Sequence, residues 1–223
     1  MEPSEPNLGG QAHSDAGLRQ AASNYYESNF ISRRWRRGLA QMVVGLLPEK
    51  WQTAELLDVG TGDGYTIRLV KPEGAVSGMD LDSGMAAAAR ERLIDFREGS
   101  AYEIPFPAED FDVVTMIEVV EHLERPMAAL KEVGRVLRKG GYVVLTTPVP
   151  KFSWKVMWWG WTRLGPGKRW DSSPHVTDLH MQGDKKGIGL AQMLTELGFS
   201  VEQTATCNRG YIAGARARKL GAS

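Results

Sequence analysis

The chain has 223 residues, of which 42% are hydrophobic and 24% charged, and 27 basic side chains balance 27 acidic ones. That length suits one α/β domain with a sizeable core and falls short of two, and the balance excludes a largely disordered chain. Cys207 is the single cysteine, which excludes an intramolecular disulfide framework and a cysteine-based zinc cluster. No stretch reaches the roughly 20 apolar residues of a membrane span. The polar segment from Met1 to Gly10 lacks an apolar signal core, so a cytoplasmic protein is expected.

Charge is uneven along the chain. Residues 1–50 carry six basic and five acidic side chains, residues 51–150 ten and seventeen, and residues 151–223 eleven and five, giving net charges of +1, −7 and +6. An acidic middle followed by a basic end suggests two tasks on one domain.

Residues 1–16 mix Pro, Gly, Ser and acid without an apolar period and read as a mobile tail. The single domain then runs over residues 17–223. From Leu18 to Leu47 the apolar positions Phe30, Trp35, Leu39, Met42, Val43, Leu46 and Leu47 recur at helical spacing, a helical cap over residues 17–50 that Pro48 stops. Glu55-Leu-Leu-Asp-Val59 is a buried strand that breaks into Gly60-Thr-Gly-Asp-Gly64, and a helix to about Lys71 follows. Val76–Asp80 reads as a second strand, Ser83 as the cap of an Ala- and Met-rich helix to Leu93, and the region around Phe96 as a weak third strand. Phe111–Ile117 has the near-continuous apolar run of a parallel strand covered on both faces. Pro126 opens a helix with the stripe Met127, Leu130, Val133 and Leu137; Gly140-Gly141 ends it, and Tyr142–Thr146 is the fifth strand. A last helix marked by Leu190, Leu194 and Leu197 stops at Gly198, before strands at Phe199–Thr204 and Tyr211–Ala215. Strands alternating with helices predict a doubly wound α/β fold, a parallel sheet with helices on both faces.

In such a sheet, ligands bind beyond the carboxyl ends of the strands, where the strand order switches. Gly60, Gly62 and Gly64 let the backbone approach a ligand and offer it N–H groups. Asp80, twenty residues beyond Gly60, closes the second strand, where a carboxylate accepts from both hydroxyls of a ribose. A nicotinamide dehydrogenase shares loop and acid, but its loop is G-x-G-x-x-G facing a pyrophosphate. Here the spacing is G-x-G-x-G, with Glu55, Asp58 and Asp63 around it. Acid in that place repels a pyrophosphate and suits a ligand carrying an ammonium and a sulfonium.

Glu55-Leu-Leu-Asp-Val-Gly-Thr-Gly-Asp-Gly64 resembles the first motif of the class I S-adenosylmethionine-dependent methyltransferases, and Gly78-Met-Asp80-Leu-Asp82 their ribose-binding motif. Gly99-Ser-Ala-Tyr-Glu-Ile-Pro-Phe106 with Phe111-Asp-Val-Val114 is similar to their adenine loop and fourth strand. Glu118-Val-Val-Glu121-His122-Leu and Arg135-Val-Leu-Arg-Lys-Gly-Gly141 complete the pattern, so that residues 55–148 form the cofactor-binding core. Within the class the chain is similar to the ubiquinone/menaquinone-biosynthesis (methyltransferase type 11) group. The resemblance implies a Rossmann-like three-layer α-β-α sandwich, its seven-stranded sheet mostly parallel with an antiparallel last strand. It implies S-adenosyl-L-methionine as cofactor, with Gly60, Thr61, Gly62 and Gly64 around the amino-acid end and Asp58 near its ammonium. Asp80 would bind the ribose, Leu81 pack on the adenine, Ser100 and Ala101 edge it, and Ile117–Glu118 lie near the methyl-bearing end. The family commonly has Asp where Ser100 stands, and Ser is a weaker acceptor for the adenine amino group.

Methyl transfer is an in-line displacement on an activated sulfonium, so the protein mostly holds the acceptor close and in line, and a base is needed when the acceptor is a hydroxyl. His122 and Glu118 are the candidates for catalysis. The Glu118, Glu121 and His122 trio also resembles that of ubiquinone-biosynthesis O-methyltransferases and small-RNA 2′-O-methyltransferases, where it helps bind a divalent metal. His175 or His180 could add a ligand, while a structural or substrate-orienting role of the trio is the alternative. The string Pro174-His-Val-Thr-Asp178-Leu-His180 reads as packing or lid.

Trp154, Trp158, Trp159, Trp161 and Trp170 fall in one stretch with Lys151, Lys155, Arg163, Lys168 and Arg169, and residues 151–170 contain no acid. Residues 151–185 thus read as a substrate lid or a membrane-contact insert. The run Arg33-Arg34-Trp35-Arg36-Arg37 could join the same face or be a solvated helix side. The expectation is methyl transfer, by preference O-methylation, to a small-molecule or lipid-like acceptor, with peripheral membrane contact through 151–170. Nucleic acid is disfavoured because no basic groove or added RNA-binding module accompanies the core. A non-catalytic S-adenosylmethionine-binding partner protein and an RNA methyltransferase are the alternatives.

Overall fold

A computed structural model describes residues 30–71, 76–81, 89–90, 93–149 and 188–221. The 1–16 tail, the Ser83 cap, His175, His180 and the 151–170 insert lie outside the described residues. Helix α1 spans Phe30–Leu46, β1 Leu56–Val59, α2 Tyr65–Val70, β2 Val76–Asp80, β3 Asp95–Glu98 and β4 Phe111–Ile117. Then come α3 over Pro126–Val136, β5 over Leu137–Pro148, α4 over Ile188–Glu196, β6 over Phe199–Cys207 and β7 over Ile212–Lys219.

The seven strands form one sheet in the order β3-β2-β1-β4-β5-β7-β6. All neighbours pair in parallel except β7, which runs antiparallel to both β5 and β6. The alternation of side chains along each strand sends residues to two cores. Leu56, Val113, Val144 and Ile212 pack under Leu39, Val43 and Leu46 of α1 and Ile67 and Val70 of α2. Leu57, Val114, Met116, Val143 and Leu145 pack on the opposite face under Leu130, Val133 and Val136 of α3 and Leu190 and Leu194 of α4. Helices on both faces of a seven-stranded sheet make the Rossmann-like sandwich that the motifs imply. No helix among the described residues is long and apolar enough to cross a membrane.

One predicted boundary is wrong. The helix begun by Pro126 ends at Val136, and Leu137 already pairs with Phe111, so β5 starts five residues before Tyr142. Gly140 and Gly141 therefore do not end a helix. Gly140 has φ +78°, a Cβ on Gly141 would lie 2.9 Å from the carbonyl oxygens of Arg138 and Asp112, and the register with β4 shifts between Phe111 and Val113. The pair marks a bulge, where glycine serves the kink and the close approach of two backbones. The strands near the C-terminus are also longer than the apolar pattern shows, because β6 exposes alternate polar residues such as Glu202 and Thr204.

Candidate active site

The strand order reverses at β1, which pairs β2 on one side and β4 on the other, and this switch point is where an α/β sheet opens a crevice. The segments that leave the ends of β1 and β4 meet there. A Cβ placed on Gly60 would lie 2.5 Å from Val119 Cγ2, so the glycine loop presses against the turn after β4. The loop is also wound over the end of β2: the N–H groups of Gly60 and Thr61 both donate to Met79 O, at 2.8 and 3.0 Å. Gly62 N–H donates to Asp80 Oδ2 at 2.7 Å. Asp63 closes the loop by accepting the Tyr65 N–H at 3.0 Å, an Asx turn leading into α2.

Gly60, Gly62 and Gly64 have φ of +74°, +55° and +75°, the left-handed region that glycine enters at least cost. They differ in surroundings. Among the described residues nothing lies within 4 Å of a Cβ on Gly62, so with respect to them that side of the loop is an open cradle. Leu81, just past Asp80, is 75% exposed, an unusual placement for a leucine beside a core strand and one that suits a flat ligand above it. Ser100 and Ala101 follow Gly99, whose N–H donates to Asp80 O at 3.0 Å, so this loop borders the same end of β2. The Ser100 hydroxyl accepts the Tyr102 N–H at 3.2 Å.

Asp58 lies beneath the loop in register with Thr115 of β4, whose hydroxyl donates to Asp58 Oδ1 at 2.5 Å. Burial raises its carboxyl from 3.8 to about 7, against the lowering effect of Thr115 and of nearby Thr61, and Asp80 adds a further rise. The Thr61 hydroxyl is close enough to favour the charged form, yet it is buried outside hydrogen-bonding geometry. A carboxyl held near neutrality by burial is relieved by a bound cation. The open cradle, the exposed Leu81 and this buried acid fit a ligand with an ammonium at one end and an aromatic base at the other.

Beyond β4 the chain turns abruptly. Glu118 has φ +57°, a conformation costly for a residue with a side chain and often tied to a site. Its N–H is held by Thr146 of β5, through Oγ1 at 3.0 Å and the carbonyl at 3.3 Å. Burial pushes the Glu118 carboxyl up to about 7, while Arg36 of α1 pulls it down. Arg36 also sits 5.1 Å over the ring of Tyr65 at the start of α2, which brings the basic run of α1 to the glycine loop. Cys207, at the end of β6, is pushed up to about 11 by burial and by Glu118. Arg36, Thr146 and Cys207 thus lie around Glu118. Of these only Arg36 stood in a motif legible in the chain, since the other two come from distant strands without a shared motif.

Glu121 and His122 follow on the 3-10 turn Val120–His122. Burial, with Glu118 adding to it, raises Glu121 to about 8, a bond to Thr147 draws it toward β5, and its Oε2 is buried without a partner. His122 is exposed on the turn, and the protein on its inner side pushes its imidazole below the usual range. Among the described residues, no three His, Cys, Asp or Glu side chains gather to hold a metal ion. The described residues thus lend no support to the reading of Glu118, Glu121 and His122 as metal ligands.

Residues 57–145 match the family model of a methyltransferase domain. The chain is 31% identical over 125 residues to a demethylmenaquinone methyltransferase of Thermotoga maritima, covering 54% of this chain and 52% of that protein. It is 35% identical over 105 residues to a fatty-acid O-methyltransferase of Mycolicibacterium smegmatis, covering 44% and 38%. The fold superposes with a TM-score of 0.66 on the crystal structure of a SAM-dependent methyltransferase from Thermotoga maritima, at 21% identity and over 91% of this chain and 97% of that one. Fold and glycine loop together are similar to those of the S-adenosylmethionine-dependent methyltransferase class. Within that class the domain is similar to the ubiquinone/menaquinone-biosynthesis type. The matched stretches cover 39%, 62% and 52% of the first curated relatives, so the chain spans about half the length of the curated relatives it matches.

Proposed function

We propose that the protein methylates the oxygen of a small or lipid-like acceptor with S-adenosylmethionine, Glu118 taking the acceptor's proton. The observation that carries this reading is the meeting of an open glycine loop with a buried carboxyl held in a strained conformation. Gly60, Thr61, Gly62 and Gly64 would hold the amino-acid end above Asp58. Asp80 would take the ribose, Leu81, Ser100 and Ala101 the adenine, and the backbone at Ile117 would border the methyl end. When bound, S-adenosylmethionine supplies a methyl group already activated on sulfur.

The chain's own part is to bind, to orient and to move one proton. The acceptor O–H gives its proton to Glu118 as the new O–CH3 bond forms and the S–CH3 bond breaks, leaving S-adenosylhomocysteine. A carboxyl near 7 suits a general base at neutral pH. Glu118 is favoured over His122 because its carboxyl lies deeper in the protein, next to the turn that presses on the loop, whereas His122 is exposed. A lipid-like acceptor is supported by the demethylmenaquinone and fatty-acid enzymes among the relatives, and by the tryptophan-rich basic residues 151–170, read as peripheral membrane contact.

Calorimetric titration tests the cofactor reading: S-adenosylhomocysteine is expected to bind and NADH to give no heat. Asp80→Ala should weaken binding by at least about 10²-fold, since charge-assisted bonds of roughly 1.5–3 kcal/mol each are lost and the Gly62 N–H loses its acceptor. Unchanged affinity would remove Asp80 from the site. The ammonium of the ligand needs Asp58 ionised, so affinity should rise as pH increases through about 7. Asp58→Asn should flatten that dependence, and a slope that survives the substitution would assign it to another group.

A further inference from the structure

Among the described residues the loop Gly99–Phe106 has no strand partner beyond a single bridge between Ser100 and Glu103, and its backbone groups find others. Three consecutive carbonyls are taken by two arginines. Arg135 of α3 donates from Nη2 to Ile104 O at 2.8 Å and from Nη1 to Phe106 O at 3.0 Å. Arg97 of β3 donates from Nη1 to Pro105 O at 2.6 Å, its guanidinium 4.1 Å over the Phe106 ring. Glu132, one helical turn before Arg135, accepts the Ile104 N–H at 3.0 Å and both Nε and Nη2 of Arg135 at 2.8 Å. Arg135 in turn holds Glu132 below the usual carboxylate range. Phe106 packs edge-on against Phe111 of β4, the ring centroids 5.1 Å apart. Every pin therefore joins the end of this loop to the rigid sheet and α3, while its beginning is tied to Asp80 O through Gly99.

We infer that Arg135, Glu132 and Arg97 are positioning residues: they clamp the Ile104–Phe106 backbone so that Ser100 and Ala101 stand ready beside Asp80 for the cofactor's adenine. The inference rests on the reading that Ser100 and Ala101 edge the adenine. A guanidinium is required because its planar fork serves two carbonyls and a carboxylate together, which an ammonium on a flexible stem does not. A loop ordered in advance loses less conformational freedom when ligand binds, and this appears as affinity without any contact to the ligand.

The test is Arg135→Lys, which keeps the charge and removes the fork, read by S-adenosylhomocysteine affinity and by amide exchange. Affinity should fall roughly 5–20-fold. Exchange of the amides between Ser100 and Phe106 should quicken at least about 10-fold while those of β4 and β5 hold, and saturating S-adenosylhomocysteine should restore most of the protection. Arg97→Met should act in the same direction from the other side of the loop, by about 3-fold, and it stands in should Arg135→Lys fail to fold. The inference is overturned by affinity within twofold of wild type in a variant whose loop exchange has quickened. Equal quickening in β4 overturns it too, because the clamp would then support the fold at large. Asp80→Ala run alongside separates the two readings: if it also leaves affinity unchanged, the cofactor assignment fails and not the clamp alone.

Discussion

Glu118→Gln is expected to lower kcat by about 10²–10⁴-fold, the usual contribution of a positioned general base, while S-adenosylhomocysteine affinity stays within about threefold of wild type. Glutamine keeps the shape and the N–H held by Thr146 but cannot take the proton. The variant should be no less stable, because a neutral amide has no charge to desolvate in this buried position. The sign of the pH dependence follows from the same carboxyl. The base works ionised, so kcat should rise with pH through about 7 in the wild type, and that limb should vanish in Glu118→Gln. Arg36 favours the ionised form, so Arg36→Met should move the limb to higher pH. A kcat unchanged by Glu118→Gln would pass the role of base to another group, with His122→Gln the next variant to measure.

The parts of this site that lie along one stretch of chain were legible before the fold was known. The glycine loop and Asp80 announce themselves because a close backbone approach demands glycine and a strand end presents its acid to the crevice, and β2 and β4 fall on Val76–Asp80 and Phe111–Ile117 as read. What comes from distant strands was not legible. Thr115 meets Asp58 only through parallel pairing of β1 with β4, and Thr146 reaches Glu118 only because β5 lies beside β4. The Gly140-Gly141 pair misled for a related reason: a glycine pair after a helical stripe resembles a helix stop, and only the approach of Asp112 O from the neighbouring strand shows it to be a bulge. The metal trio was legible only as a spacing: five consecutive positions hold three ligand-type side chains, yet among the described residues no three such groups gather to hold an ion. The clamp on residues 104–106 was half visible, since Arg135 belongs to a recognised string, but its task depends on a loop 28–31 residues upstream.

Two glycines in one loop should fail in opposite ways when each is replaced by alanine. Gly60→Ala should cost the fold roughly 2–4 kcal/mol, from a left-handed residue with a side chain and from overpacking. The new Cβ would stand 2.5 Å from Val119 Cγ2 and 3.1 Å from Cγ1 at a φ of +74°, so Val119 must move and with it the turn that carries Glu118. Gly62→Ala meets nothing within 4 Å among the described residues and has only its φ of +55° against it, a cost of about 1 kcal/mol. Its methyl group, however, would stand in the cradle that the proposed reading gives to the cofactor's amino-acid end, where a glycine permits the closest approach of backbone to ligand. S-adenosylhomocysteine affinity should therefore fall by at least about 30-fold, the loss of some 2 kcal/mol, in a protein that melts within a few degrees of wild type. Thermal melting and calorimetry on the two variants separate the effects. If Gly62→Ala binds as tightly as wild type, the open side of the loop faces bulk water, and the cofactor must be placed elsewhere along the end of the sheet.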